Sequence, residues 1–414
     1  MAAVVALLVM ATLAGCLFRK LREDVTRLNA VALIGGKVTC AAEEQGPIVV
    51  VLTTTAPPVT VVDFFVLAGS GAYFFAVPHG AYRIVAFVDR NRDFVYEPAD
   101  EPAAYYGAPT DIHVDPGQKI AGLDMHIGPD PGVRLNSPID VSQLGKSRGR
   151  GLPDIELGTV VTMDDPRFSD ENAHLGLWQP VEFLFQVGAG FYFLEEFDPN
   201  KMPVLFVHGA GGQPGNFRYL IEHLDRTRFQ PWLYYYPSGL DIDAVAEAGG
   251  RWLTVLGVRY EVQRLAVVAH SMGGLVARAA INRAVAATGG RRLAVFVSIS
   301  TPWNGHAAAG PGAEHAPVVI PMWRDIAPGS PFLVDLFRTP LPRQCPYYLL
   351  FSYSGHSAFV SGANDGTVAL SSELALPAQL AATKVYGFDE NHDSILTSAE
   401  TSATLNALLA SAAR

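Results

Sequence analysis

Only three cysteines occur in 414 residues, too few for disulfides to stand in for a hydrophobic core. Basic residues are also sparse: 30 Lys and Arg against 40 Asp and Glu, scattered along the chain. No basic stripe marks a nucleic-acid face, so nucleic acid is not an expected partner. Charged residues make up 17% of the chain and hydrophobic ones 49%, which excludes a disordered polypeptide and leaves material for a large core. No H-E-x-x-H or comparable metal spacing is present, and no glycine-rich phosphate loop follows a strand-to-helix pattern. No cofactor is therefore expected. Residues 1–16, MAAVVALLVMATLAGC, are apolar but fall short of the roughly 20 residues a spanning helix needs.

What is present is organised around residues 264–282, RLAVVAHSMGGLVARAAIN. Residues 265–269 form a short apolar run, as in a strand buried on both faces. His270-Ser271-Met272 follows, and Gly273-Gly274 open a helical pattern. Strand, sharp turn with a serine at its tip, then helix is the context of a nucleophile elbow, usually G-x-S-x-G. Here Ala269 takes the first glycine's place. Small residues are needed because strand and helix nearly touch, and alanine still fits. The plainer alternative is a strand–helix junction with an incidental serine.

Around this stretch, apolar strands alternate with helical patterns. Residues 203–207, 231–236, 293–299, 347–352 and 383–388 read as strands, with helices over 217–224 and 244–256. That alternation predicts a mainly parallel sheet covered on both faces, with function gathered at the carboxyl ends of its strands. Asp365 follows the 347–352 strand and His392 the 383–388 strand. Serine, acid, histidine is the chain order of an α/β-hydrolase triad. A serine hydroxyl is a poor nucleophile near neutral pH and needs a base within reach. His392 is the candidate base, and Asp365 would hold its tautomer. Asp389 and Asp393 flank His392 as rival acids, but close sequence neighbours rarely reach the far imidazole nitrogen. Met272, next after the serine, offers one oxyanion N–H. His208 is read as shaping the oxyanion loop, and His270 as pointing away from the serine.

Four motifs stand in order: His208-Gly-Ala-Gly-Gly212, His270-Ser-Met-Gly-Gly274, Thr301-Pro-Trp-Asn-Gly305 and Asp365-Gly-Thr-Val368. On these the chain resembles α/β-hydrolases of the serine lipase/esterase type, nearest to triacylglycerol-lipase-like and inositol-deacylase-like proteins. The resemblance covers about residues 178–400. It implies an α/β fold with a cap insertion and a serine carboxylic-ester hydrolase working through an acyl-enzyme. It also assigns the second oxyanion N–H to Ala210. Residues 303–345 separate two core strands and carry Trp303, Met322, Trp323, Phe332 and Phe337. An insertion at this place usually forms a cap. Its apolar load suits an acyl-chain pocket or a lipid-facing surface, or ordinary packing of a long insert. The same triad also serves acyltransferases, thioesterases and amidases. A non-catalytic envelope binding protein on a hydrolase scaffold is the alternative from another class.

The N-terminal third reads differently. GGKV, GPIVVVLTTT, VTVVDFFVLAG, GAYFFAVPHGAYRIVAFVD and QKIAGLDMHI are β-branched or aromatic runs with Gly, Pro and Asp between them, as in an all-β sandwich. The 73–89 segment reads as a hairpin turning at 78–80. The order G-G-x-V, F-x-V-P-x-G-x-Y and D-x-N-x-D resembles carboxypeptidase-regulatory-like and transthyretin-like modules over residues 31–130. Asp89, Asn91 and Asp93, with Glu97 ninth and Asp100 twelfth, echo a calcium loop, although Phe94 stands where glycine is usual. The plainer reading is an acidic surface loop whose side chains cap turns. Residues 178–183 and 190–194 look like leading strands of the next sheet.

At the start, Leu13-Ala14-Gly15-Cys16 resembles the lipobox of bacterial lipoproteins. It implies cleavage before Cys16, a lipidated thiol, and a lipid-anchored place at a bacterial membrane facing the periplasm or exterior. No Lys or Arg precedes the apolar run, which departs from that pattern. Cys40 and Cys345 would then remain, either paired across two domains or as independent thiols. The expected organisation is a signal peptide at 1–16, a charged tether at 17–30, the β-sandwich at 31–130, a Gly/Pro/Ser-rich linker at 131–160, and a catalytic domain at 161–414 with its cap at about 303–345.

Overall fold

A computed structural model describes residues 18–41, 46–106, 111–128, 138–142, 155–357, 360 and 362–413. Cys16 and the lipobox-like stretch lie outside the described residues, as does most of the 131–160 linker. Contacts divide the chain into one unit of residues 25–157 with 251–262, and another of residues 1–24, 158–250 and 263–414.

The 25–157 unit is all β. Strand Ala32–Cys40 pairs antiparallel with Gly71–Val77 and parallel with Lys119–Ile120 and Met125–Ile127. A second, antiparallel sheet runs Val61–Leu67, Ile48–Thr54, Gly80–Val88, Ala103–Tyr105, with Ile112–Val114 also on Gly80–Val88. One buried cluster takes Ile34, Val38 and Phe75 from the first sheet and Val50, Leu52 and Ile84 from the second. Alternation sends these β-branched and aromatic side chains inward. The 73–89 segment is not a hairpin: Gly71–Val77 and Gly80–Val88 belong to different sheets. Pro78 has no N–H to extend a ladder, and each strand finds its partner elsewhere. Residues 118–127 likewise form two short strands rather than one.

The other unit has the α/β-hydrolase fold. Its strands are β1 (Ile155–Val160), β2 (Ala189–Phe193), β3 (Met202–Val207), β4 (Phe229–Tyr235), β5 (Leu265–His270), β6 (Leu293–Ile299), β7 (Tyr347–Ser352) and β8 (Lys384–Phe388). They form one sheet in the order β1-β2-β4-β3-β5-β6-β7-β8. β2 is antiparallel to β4, while β3 to β8 pair in parallel. β4, β5 and β6 are buried at every residue, as strands covered on both faces must be.

Two segments differ from the sequence reading. Residues 178–183 are not a strand: helices Asp170–Trp178 and Pro180–Gln186 occupy the region. Pro180 stands in the first turn of its helix, where a missing N–H does no harm. Residues 18–29, read as a tether, form a helix with Leu21 fully buried. Within it, Asp24 Oδ2 accepts the Val181 N–H at 2.8 Å and the Glu182 N–H at 3.2 Å. A carboxylate distant in sequence thus caps a helix whose own N-cap residue makes no side-chain bond.

Close approach at the β5 junction demands glycine. A Cβ on Gly273 would lie 2.3 Å from the Val207 carbonyl oxygen and 2.4 Å from that of His208. Neither backbone atom can yield cheaply. Gly273→Ala is expected to destabilise by about 3 kcal/mol, lowering the melting temperature by roughly 6–12 °C in a thermal scan.

Candidate active site

β5 ends in a turn that no ordinary residue adopts at ease. Ser271 has φ 55° and ψ −135°, a positive-φ conformation that a non-glycine residue occupies only under local constraint. The constraint is visible. The Ser271 N–H donates to the Ile299 carbonyl at 2.8 Å, and its own carbonyl accepts the Gly274 N–H at 2.9 Å. Helix Met272–Thr288 starts at once. A Cβ on Gly274 would lie 2.0 Å from Thr301 Oγ1, which links the glycine pair to the T-P-W-N-G turn.

Asp365 stands in the loop after β7 and is fully buried. Its Oδ1 accepts the N–H groups of Thr367 at 2.9 Å and Val368 at 2.7 Å. Gly366, at φ 101°, permits the turn that folds these donors back. The D-G-x-V sequence is therefore a clamp on one carboxylate oxygen. The other, Oδ2, lies 2.5 Å from His392 Nδ1 and accepts the Ser352 hydroxyl at 3.0 Å. His392 follows β8, and its N–H donates to the Asp365 carbonyl at 2.9 Å. Its Nε2 lies 2.9 Å from Ser271 Oγ. Ser271, His392 and Asp365, taken from three strand ends, are thus brought into one hydrogen-bonded row. Asp389 and Asp393 are exposed, and Asp389 takes the Ser354 hydroxyl instead.

Burial alone would raise the Asp365 carboxyl. The His392 bond and charge, with the Val368 and Thr367 N–H groups, outweigh it and hold the carboxyl below its ordinary value. The neighbouring imidazoles are moved the other way. Burial takes His208 down to about 4. Burial, and then the proximity of His392, take His270 down to about 3. Both are neutral near pH 7 and serve as hydrogen-bonding frames. His208 stacks on Tyr236, with ring centroids 4.2 Å apart, and Tyr236 Oη donates to the His208 carbonyl. The His270 side chain bonds the His392 loop: its Nε2 meets the His392 carbonyl at 2.9 Å, so it holds the loop that carries the histidine.

Ser271 and His392 open onto a cavity of about 470 Å³. Ala210 and Met272 border it together. Met272 is the first residue of its helix, so its N–H has no acceptor within that helix. The 303–345 insertion folds into short helices Ala309–His315, Met322–Asp325 and Pro331–Leu336. Its apolar load divides. Trp303, Ile320, Leu333 and Leu336 are buried, while Met322, Trp323 and Ile326 line the cavity.

In the calcium-like loop, the side chains largely satisfy one another. Asn91 Nδ2 donates to Asp93 Oδ2 at 3.0 Å, and the Asp93 and Val95 N–H groups return to Asn91 Oδ1 and Asp93 Oδ1. Asp89 is fully buried and its Oδ2 takes the Phe94 N–H at 3.2 Å. Asp100 is exposed, and the acid that turns inward is Glu101. Among the described residues, no group of three or more His, Cys, Asp or Glu is placed to hold a metal ion. Cys40 and Cys345 are both free thiols, the second buried.

Residues 200–323 match the family model described as "Putative serine esterase (DUF676)". The match supports an ester hydrolase. It spans less than a third of the chain and includes the H-G-A-G-G loop, Ser271 and the T-P-W-N-G turn. No curated protein matches the chain. Among solved structures, the chain is similar to the mature form of the Bacillus licheniformis lipase BlEst2, at 17% identity and a TM-score of 0.41, over 54% of this chain and 97% of that one. It is similar also to the enol-lactonase from Burkholderia xenovorans LB400, at 14% identity and a TM-score of 0.37, over 54% and 96%. Phospholipase PlaB from Legionella pneumophila gives 15% identity and a TM-score of 0.35, over 42% of this chain and 45% of that one.

Proposed function

We propose that this protein is a serine carboxylic-ester hydrolase of the lipase/esterase kind, acting through an acyl-enzyme. The observation that carries the reading is the row Ser271 Oγ–His392 Nε2 at 2.9 Å and His392 Nδ1–Asp365 Oδ2 at 2.5 Å. In this mechanism His392 removes the hydroxyl proton as Ser271 Oγ attacks the ester carbon. It then returns that proton to the leaving alcohol. Asp365 keeps Nδ1 protonated and stabilises the imidazolium that forms. The Met272 and Ala210 N–H groups receive the oxyanion. Water, activated by His392, then hydrolyses the acyl-enzyme. Met322, Trp323 and Ile326 provide the apolar wall against which an acyl chain would lie, so the substrate is an acyl ester and its natural form a lipid.

The reading is tested with p-nitrophenyl esters of graded chain length on the wild type and Ser271→Ala. Turnover that depends on Ser271 is expected. Turnover unchanged by the substitution rejects Ser271 as nucleophile, and no turnover with any ester favours a binding role.

We further propose that Cys16 carries a lipid that keeps the enzyme at a membrane of the cell envelope. Two or more acyl chains anchor stably, one only marginally. In cells fed a clickable fatty acid, the wild type is expected to be labelled and Cys16→Ala not. Equal labelling of both would dismiss the anchor.

A further inference from the structure

Behind Asp365 lies a second carboxyl that the proposed reaction does not use. Glu373 ends the short helix Leu370–Glu373 and is 1% exposed. Its Oε2 accepts the Ser352 N–H at 3.3 Å. Its Oε1 is buried as well. Ser352 in turn donates its hydroxyl to Asp365 Oδ2 at 3.0 Å, the oxygen that faces His392. Ser300 Oγ lies 2.7 Å from Ser352 Oγ. The Ser300 hydroxyl also bonds the Glu373 carboxyl. A polar chain therefore runs from Glu373 and Ser300 through Ser352 to the triad acid, at the carboxyl end of β7.

Two carboxylates in so dry a place do not both ionise. Asp365 has donors from Thr367, Val368, Ser352 and His392, whereas Glu373 takes one weak N–H from Ser352 and otherwise meets only the Ser300 hydroxyl and the Asp365 carboxylate, which can accept its proton. The charge therefore stays on Asp365 and the proton on Glu373. In agreement, burial first and the Asp365 charge second push the Glu373 carboxyl up to about 10. An aliphatic residue there would leave the Ser352 N–H buried and unpaired, which is destabilising. A lasting second anion would oppose the charge on Asp365.

We propose that Glu373 works as a neutral acid that positions Asp365, by pinning the Ser352 backbone so that the Ser352 hydroxyl stays on Oδ2. It is a positioning residue, because it touches neither substrate nor reacting atoms. The inference rests on the triad reading above and deepens it.

The test uses the full chain and variants Glu373→Ala, Glu373→Gln and Ser352→Ala. The readouts are the rate of Ser271 labelling by a fluorophosphonate and the far-downfield proton resonance of the His392–Asp365 bond. Glu373→Ala is expected to slow labelling about tenfold, the worth of one hydrogen bond, and to shift or broaden the resonance. Glu373→Gln, a neutral acceptor of the same shape, is expected to rescue most of both. Should Glu373→Ala fail to fold, Ser352→Ala, which removes one hydroxyl, is expected to move both readouts in the same direction. Melting temperature against pH is a further readout. The folded Glu373 value lies above its ordinary 4.5, so the stability it contributes is complete below that value and is lost as pH rises toward about 10. The titratable groups facing it are Asp365 and, beyond it, His392. Between pH 5 and 9 the wild type is expected to lose more melting temperature than Glu373→Gln. Wild-type labelling and resonance in Glu373→Ala, or a Glu373→Gln as impaired as Glu373→Ala, would overturn the proposal. The resonance requires no turnover, so a failure of the hydrolase reading is distinguishable from a failure of this one.

Discussion

Ser271→Ala is expected to lower ester turnover by a factor on the order of 10⁶, with the fold and melting temperature nearly unchanged. The size follows from how the row of side chains acts. Without the hydroxyl there is no acyl-enzyme, and His392 and Asp365 have nothing to activate. What remains is substrate binding and oxyanion stabilisation, worth a residual of roughly 10³–10⁴ over water. The structural effect is small because only one oxygen is removed, and alanine can sit in the same backbone turn at similar strain. The measurement is kcat with the best ester of the graded panel, beside a thermal scan. A loss of less than about tenfold would mean that another group attacks the ester.

Asp365→Asn is expected to lower kcat by about 10⁴ while leaving KM within a few-fold. An amide is almost the same size as the carboxylate, but it presents a donor where His392 Nδ1 now finds an acceptor at 2.5 Å. The imidazole then favours the tautomer with its proton on Nε2, facing the serine, and can no longer take the hydroxyl proton. The Thr367 and Val368 N–H groups still need an acceptor at Oδ1, so the amide nitrogen is driven to the Oδ2 side, where it does the most harm. Ser352 must also turn its hydroxyl, since it now meets a donor. Steady-state kinetics at several pH values check this. A kcat within tenfold of wild type would pass the role to another acid, with Asp393 beside the cavity as the first to examine.

Much of the catalytic unit was legible in the sequence because its signals are local. Buried parallel strands such as residues 265–269 and 293–299 are continuous apolar runs, and the first leads at once into a helical period. Gly273 is required by the backbone carbonyls of Val207 and His208 and Gly274 by the Thr301 side chain packed against it, so they stand in the sequence as a pair. The segments that misled are those decided by distant partners. Residues 178–183 look β-rich, but the helix there starts at Pro180 and is capped by Asp24, which no local pattern reveals. The 73–89 run has a turn at its centre and strands on either side, yet the strands join different sheets because each buries its own face elsewhere. Glu373 and Ser352 carry no motif at all. They matter through burial next to Asp365, and burial is a property of the folded chain.

The order of serine, acid and histidine, and the strands that end in them, were determined by the amino-acid sequence alone, because the turns that present them are built from contiguous residues. Which acid meets the imidazole, what backs that acid, and which cap residues face the cavity were decided by tertiary structure. Each depends on side chains far apart in the chain meeting in a water-poor interior, where one hydrogen-bond donor more or less settles which carboxyl keeps its charge.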